Sequence, residues 1–291
     1  MSRSRIDKDV SARIADGALR PLSRDELFGD RSKLKGRVVV ITGGGSGLGR
    51  AFAVEAAKNG ALVVIGDVNE QGLEETLRLI KAANGTARGQ RCDVTIWEDQ
   101  LALFELAQSS FGRVDIAVAN AGIGDTSQGQ FLKEELEKPD VTTLDVDVVG
   151  VVYTARLGLH YLRRNPAEDG KAIILIGSYA SFYGSPVTML YAPAKHAVLG
   201  FGRSLKFLCA HDGINCTVIC PYFVDTPIMQ AIKPALQGET LGTIDDVVGA
   251  LTYASTAGIV KLPPGQAILV DPRGVLVTNG GKFSPMALPK L

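Results

Sequence analysis

The chain has 291 residues, 46% hydrophobic and 21% charged, which is the balance of a globular protein long enough to bury a large core. Lys+Arg and Asp+Glu number 31 each, so no net charge draws the chain to nucleic acid or to an anionic membrane. No apolar run approaches the roughly 18 residues of a membrane span.

Residues 1–36 carry charges of both signs and read as an N-terminal extension, weakly helical around Val10–Ala18. It is either a solvated arm or a segment laid over the following domain. It lacks the apolar centre of a signal peptide, and Asp7, Asp9, Asp16, Asp25 and Glu26 argue against a mitochondrial transit sequence. From Arg37 short apolar runs alternate with longer amphipathic stretches. Strands are expected at Arg37–Thr42, Ala61–Asp67, Ala87–Asp93, Asp115–Asn120, Lys171–Ser178, Ile214–Pro221 and Gln266–Asp271. Helices are expected at Gly47–Asn59, Glu70–Ala83, Ile96–Phe111, Pro139–Arg164, Leu190–Asp212 and Ile244–Thr256, with Gly60 and Asn84-Gly85 as stops. This order predicts one α/β domain over 37–291: a Rossmann-type, doubly wound parallel sheet of about seven strands with helices on both faces. The helices near 139–164 and 190–212 are apolar almost all round, so a second copy is expected to cover them in a homodimer or homotetramer.

The first strand runs into Thr42-Gly43-Gly44-Gly45-Ser46-Gly47-Leu48-Gly49-Arg50, which opens a helix. Glycines there let backbone approach a pyrophosphate, and the helix N-terminus offers free N–H groups. Asp67, at the next strand end, is placed to accept bonds from ribose hydroxyls and to repel a 2′-phosphate. Ser46 and Val68 supply no base for such a phosphate, so NAD is favoured over NADP. Asp67 could instead only start a turn. Cys92, Cys209, Cys216 and Cys220 lack metal spacing and read as buried thiols of a reducing compartment. His160, His196 and His211 also lack metal spacing, and no metal is expected.

Tyr191-Ala-Pro-Ala-Lys195 places a phenol and an ammonium one helical turn apart, with Ser178 thirteen residues upstream of Tyr191. A nearby ammonium favours the phenolate, making tyrosine a usable general acid/base. Together with the glycine pattern, these residues make the chain resemble the short-chain dehydrogenase/reductase family over residues 36–280. Ile219-Cys-Pro-Tyr-Phe-Val-Asp-Thr226 points toward its hydroxyprostaglandin dehydrogenase-like members. The resemblance implies that Tyr191 exchanges a proton with the substrate oxygen, that Ser178 orients that oxygen, and that Lys195 binds the nicotinamide ribose. It implies cofactor contacts from Gly43, Ser46, Gly47, Leu48, Gly49, Asp67, Asp93, Val94, Asn120, Tyr191, Lys195, Pro221, Val224 and Thr226. Ala119 replaces the first Asn of the family's Asn-Asn-Ala-Gly.

Two further departures stand out. Asp147 occupies the position of the family's helix-kinking Asn, which serves the proton relay to the lysine; an ionised acid loses the amide donor and adds a charge. Tyr222 replaces the glycine after Pro221. A lid is expected over about 222–243, with apolar side chains at Ile228, Met229 and Ile232. Tyr183, Met189, Tyr222, Phe223 and Met229 suggest a pocket for a hydrophobic secondary alcohol or ketone; lid packing or an oligomer contact explains them as well. The expected activity is NAD-dependent hydride transfer. The alternatives are an NAD-binding regulator or scaffold with impaired catalysis, and an epimerase or lyase using bound NAD. A cytoplasmic location is expected, although Pro289-Lys290-Leu291 distantly resembles a peroxisomal address.

Overall fold

The computed structural model describes residues 18–278 apart from 128, 168, 185–187, 231–235, 237 and 239. The start of the N-terminal extension, Ile232 with part of the lid, and Pro289–Leu291 lie outside the described residues.

Strands β2 (Val38–Thr42), β3 (Leu62–Asp67), β4 (Thr86–Arg91), β5 (Ile116–Ala119), β6 (Ala172–Ile176), β7 (Asn215–Pro221) and β8 (Gln266–Asp271) run parallel. They are the seven expected strands. Two antiparallel strands raise the total to nine: β1 (Leu19–Leu22) and β9 (Gly274–Thr278), in the order β1-β9-β8-β7-β6-β5-β2-β3-β4. The sequence reading missed both for identifiable reasons. β1 is four residues long and carries Arg20 and Pro21, a composition typical of an edge strand. β9 returns directly from β8 through Pro272-Arg273, with Asp271 opposite Gly274, so no helical stretch separates the two.

Successive residues of β2 alternate between two cores, one on each sheet face: Val39 and Ile41 face one, Val38 and Val40 the other. Every residue of β2, β5, β6 and β7 is buried. Fully buried side chains such as Phe52 and Ile41 each contribute about 1.5–3 kcal/mol of hydrophobic stabilisation.

The helices follow their local signals. α1 is Arg24–Phe28, α2 Gly47–Lys58, α3 Glu70–Ala82, α4 Trp97–Phe111, α5 Gly150–Arg164, α6 Tyr191–Ser204, α7 Lys206–His211, α8 Ile244–Thr256 and α9 Gly258–Lys261. Asn69 caps α3 by accepting from Gly72 N at 3.0 Å, and Asn84 stops the chain beyond it with φ of 56°. The expected helix over 139–164 begins only at Thr142, and Asp145–Val149 is a π-turn before α5. The expected helix over 190–212 is broken at Leu205 into α6 and α7.

Residues 18–34 are built into the domain. Leu19, Leu22, Leu27 and Leu34 are buried. α8 is buried along nearly its whole length, and α1 covers part of it. A Cβ at Gly249 would lie 2.8 Å from the Phe28 ring, so glycine there permits the close approach. Leu27→Ala should therefore lower the unfolding free energy by about 2–5 kcal/mol, as for a core leucine. Urea denaturation checks this, and a loss under about 0.5 kcal/mol would mean that the segment is only an appended arm.

Candidate active site

The segments that follow β2, β5, β6 and β7 converge at the C-terminal ends of the strands. β2 lies between β3 and β5, where the strand order reverses. A crevice at such a reversal is the usual ligand position of an open α/β sheet.

The glycine loop follows β2. Gly43 and Gly47 have φ of 69° and 51°, which favour glycine. A Cβ at Gly49 would sit 2.1 Å from the Gly43 carbonyl oxygen, so this glycine allows α2 to start against the loop. Asn120 Nδ2 donates to the carbonyls of Thr42 and Gly43, each at 2.9 Å. Asn120 therefore braces the loop from the end of β5. Asp67 Oδ2 accepts from Gly45 N at 2.8 Å, and its Oδ1 from Asn69 N at 2.9 Å. It both ties down the loop and starts the turn after β3. Arg50 is drawn to the loop backbone, donating to Gly45 O and, at 3.0 Å, to Thr76 Oγ1. Ser46, the N-cap of α2, makes no side-chain cap bond. An uncapped helix start beside a glycine turn fits a dinucleotide pyrophosphate.

Asp93 and Val94 follow β4. Asp93 Oδ1 accepts from Thr95 N and Oγ1 at 3.0 and 2.7 Å. Gln100, fully buried, donates from Nε2 to Val94 O at 2.7 Å and to Gly150 O at 2.9 Å. It joins the Val94 segment to the start of α5. Sequence reasoning missed Gln100 and Thr76; the only available signal was a polar residue on the inward face of an amphipathic helix.

Lys195 and Asp147 form the charged centre. Lys195 Nζ lies 2.8 Å from Asp147 Oδ2, with the two side chains 4% and 0% exposed. Lys195 Nζ also donates to Ile176 O at 3.2 Å, and Asp147 Oδ1 accepts from Ile123 N at 2.8 Å. Burial works against the ammonium, but the Asp147 carboxylate and then Tyr191 outweigh it and raise the Lys195 pKa. Gly122 packs against the pair; a Cβ there would lie 3.3 Å from Asp147 Oδ2 and 3.4 Å from Lys195 Nζ.

Tyr191 is half-buried at the start of α6, its ring centroid 5.4 Å from Lys195 Nζ. Ser178 follows β6 and is also half-buried. Its Oγ accepts from Ala180 N at 3.1 Å, which leaves the hydroxyl hydrogen available to a further acceptor. Ser181 accepts from Ser178 N at 3.1 Å and donates to Lys195 O at 2.7 Å. Ser181, another residue the sequence did not single out, lashes the Ser178 turn to α6.

Beyond Pro221 the ring centroids of Tyr222 and Phe223 lie 4.8 Å apart, and Tyr179 meets Tyr222 edge-on at 5.2 Å. Tyr179 donates to Asp271 Oδ2 at 2.7 Å. Tyr183 and Tyr222 pack on the same core. Val224 pairs with Gly242 in an isolated bridge. Thr226 donates to Val224 O at 3.2 Å, and its side chain stands 3.6 Å from where a Gly47 Cβ would be. Met229 is buried in a short 3-10 turn, Ile228 is exposed, and Met189 is half-buried two residues before Tyr191. The aromatic row therefore unites Tyr222 and Phe223 with Tyr179. Tyr183 shares their core, and the two methionines stand outside the row.

All four cysteines are free and buried. Burial pushes Cys92 and Cys220 up to about 12, so neither is a nucleophile.

Residues 37–237 match the model of the family described as short chain dehydrogenase. The chain is 30% identical over 274 residues to 5'-hydroxyaverantin dehydrogenase of Dothistroma septosporum, covering 84% of this chain and 87% of that one. It is 31% identical over 207 residues to 15-hydroxyprostaglandin dehydrogenase [NAD(+)] of Mus musculus, covering 69% and 72%. A crystal structure of a short chain dehydrogenase from Mycobacterium paratuberculosis, bound to NAD, superposes with a TM-score of 0.73 at 26% identity, covering 82% of this chain and 98% of that one.

Asp147→Ala would leave Lys195 buried without its counter-charge. Removing one partner of a buried pair costs about 3–5 kcal/mol, measurable by urea denaturation near pH 7. A loss under about 1 kcal/mol would show that the pair is not coupled. In the parent, the raised Lys195 pKa contributes stability that is fully present below the unfolded lysine value. That contribution fades only as strongly alkaline pH passes through the folded value.

Proposed function

The chain belongs to the short-chain dehydrogenase family and is an alcohol dehydrogenase or ketoreductase using a nicotinamide cofactor; from that premise we propose that it interconverts a hydrophobic secondary alcohol and its ketone with NAD. The observation that carries the reading is the convergence of Tyr191, the buried Lys195–Asp147 pair and Ser178 through one helix and the turn lashed to it. A nicotinamide held there would supply the hydride chemistry. In oxidation Tyr191 accepts the substrate hydroxyl proton, and in reduction it returns a proton to the carbonyl oxygen. Ser178, its Oγ already accepting from Ala180, donates its hydrogen to the same substrate oxygen. Lys195 holds the nicotinamide ribose. Asp147 keeps that ammonium charged from the position where the family places its relay asparagine.

Gly43, Ser46, Gly47, Leu48 and Gly49 cradle the pyrophosphate, and Asn120 braces them. Asp93 and Val94 border the adenine. Pro221, Val224 and Thr226 border the nicotinamide. Asp67 spends one lone pair of each oxygen on backbone and keeps one for a ribose hydroxyl. Arg50 is committed to the loop, which supports NAD over NADP. The row Tyr179–Tyr222–Phe223 supports an apolar substrate, as do relatives named for hydroxyaverantin and hydroxyprostaglandin. Phe207, 75% exposed on α7, supports a homodimer or homotetramer through residues near 139–164 and 190–212. Buried free thiols support a cytoplasmic location.

A panel of secondary alcohols followed by NADH absorbance tests the activity; tight NAD binding without NADH from any alcohol would favour a binding protein instead. Tyr191→Phe should keep NADH binding, read by fluorescence, and lose turnover by about 100-fold or more. Retained turnover would remove Tyr191 from the proton step. Asp67→Ala should shift the ratio of kcat/KM for NAD over NADP at least about tenfold toward NADP. An unchanged ratio would count against a ribose contact.

A further inference from the structure

α6 carries both Tyr191 and Lys195, yet its start cannot cap itself. The N-cap residue is Leu190, which has no polar side chain. An α-helix begins with four N–H groups that lack intrahelical partners, and here each can be traced. Pro193 has no N–H. Ala192 N donates to Thr188 O at 3.3 Å. Leu190 N and Tyr191 N both donate to Asp125 Oδ2, at 2.7 and 2.9 Å.

Asp125 lies 66 residues before Tyr191, in the segment that follows β5. Its second oxygen, Oδ1, accepts from Ser127 N at 2.8 Å and from Ser127 Oγ. An ionised carboxylate offers about four lone-pair directions, and four donors fill them. Burial alone would raise the Asp125 pKa, but the bonds from Ser127, Tyr191 and Leu190 outweigh it and hold the carboxyl below its ordinary value. The group has no lone pair left for substrate or solvent. It is a fixed anion at the positive end of the helix dipole.

The same segment grips the other parts of the site. Asn120 braces the glycine loop, Ile123 N donates to Asp147, and Gly124 O accepts from Thr143 Oγ1 at 3.0 Å, just before the π-turn. The segment after β5 is thus a tie with one end on the glycine loop and the other on the backbone of Tyr191.

We propose that Asp125 is a positioning residue: by capping α6 from the β5 segment, it sets the Tyr191 phenol against the Lys195–Asp147 pair and the glycine loop. This rests on the reading of Tyr191 as the proton carrier. The four bonds to Asp125 come from Leu190, Tyr191 and Ser127, so it acts through the Tyr191 backbone.

The test compares Asp125→Ala and Asp125→Asn in the full chain, using the panel alcohol that the parent turns over fastest. Alanine leaves both N–H groups without a partner. Asparagine keeps one acceptor oxygen, which can face the helix while the Ser127 side is lost. kcat should fall about 100-fold for Asp125→Ala, the scale of an ångström misplacement, and less for Asp125→Asn. The dissociation constant of NADH, read by fluorescence, should stay within about twofold in both. Hydrogen exchange in a peptide over 188–195 should quicken at least about tenfold in Asp125→Ala, with the peptide over 38–49 unchanged. The proposal is overturned if kcat stays within about twofold of the parent in both variants. It is equally overturned if kcat and NADH affinity fall together, because Asp125 would then support the whole fold rather than Tyr191. Should Asp125→Ala not fold, Asp125→Asn decides by the same criteria. Tyr191→Phe is run in parallel: full turnover there sinks the proton-carrier reading, whereas unchanged exchange over 188–195 in the Asp125 variants sinks the capping itself.

Discussion

A lysine ammonium that is almost wholly buried stays charged only if an opposite charge stands beside it. Lys195 meets that requirement with Asp147 at 2.8 Å, and much of the surrounding site follows from it. Asp147 is presented by a π-turn, which interrupts the regular helix ladder just before α5. Its second oxygen is held by the Ile123 backbone, so the acid cannot swing away. Gly122 leaves the chain close enough for that contact. The pair balances its own charge, and the desolvation of each member is offset only while the other is present.

The rest of the site is held by polar contacts between segments far apart in the chain. Asn120 holds the glycine loop, Gln100 holds the Val94 segment to α5, and Ser181 holds the Ser178 turn to α6. Each is a side chain bonded to backbone carbonyl or N–H groups of another element or turn. Loops at those ends cannot continue the sheet ladder, so their backbone groups must be satisfied by neighbours.

The extension at residues 18–34 solves a similar problem for apolar surface. α8 is buried nearly all round, and packing on the sheet covers only one of its sides. Leu27 and Phe28 approach the other side over Gly249, while β1 pairs with β9 at the sheet edge. A helix buried on nearly every side thus finds its cover within the chain. By contrast, α7 leaves Phe207 largely exposed.

The local pattern of residues determined a good deal by itself. The central parallel strands were legible because runs such as Val38–Thr42 are apolar on both faces, and burial on both faces demands that; the edge strand β4, Thr86–Arg91, is polar and only partly buried. The glycine loop was legible because a strand, a glycine turn and a helix start are adjacent in the chain. Tyr191 and Lys195 were legible because one helical turn sets their spacing. β1 was hidden because an edge strand needs no apolar alternation, and the break at Leu205 had no glycine or proline to mark it. Asp125, Gln100, Thr76 and Ser181 were hidden for a different reason. Each earns its place by bonding to backbone far away in the sequence, and any of them would read as an ordinary polar residue along the chain. The sequence alone could name an acid at position 147. Only the tertiary structure decided that it pairs with Lys195, because that contact depends on how a π-turn and α6 pack together over the same face of the sheet.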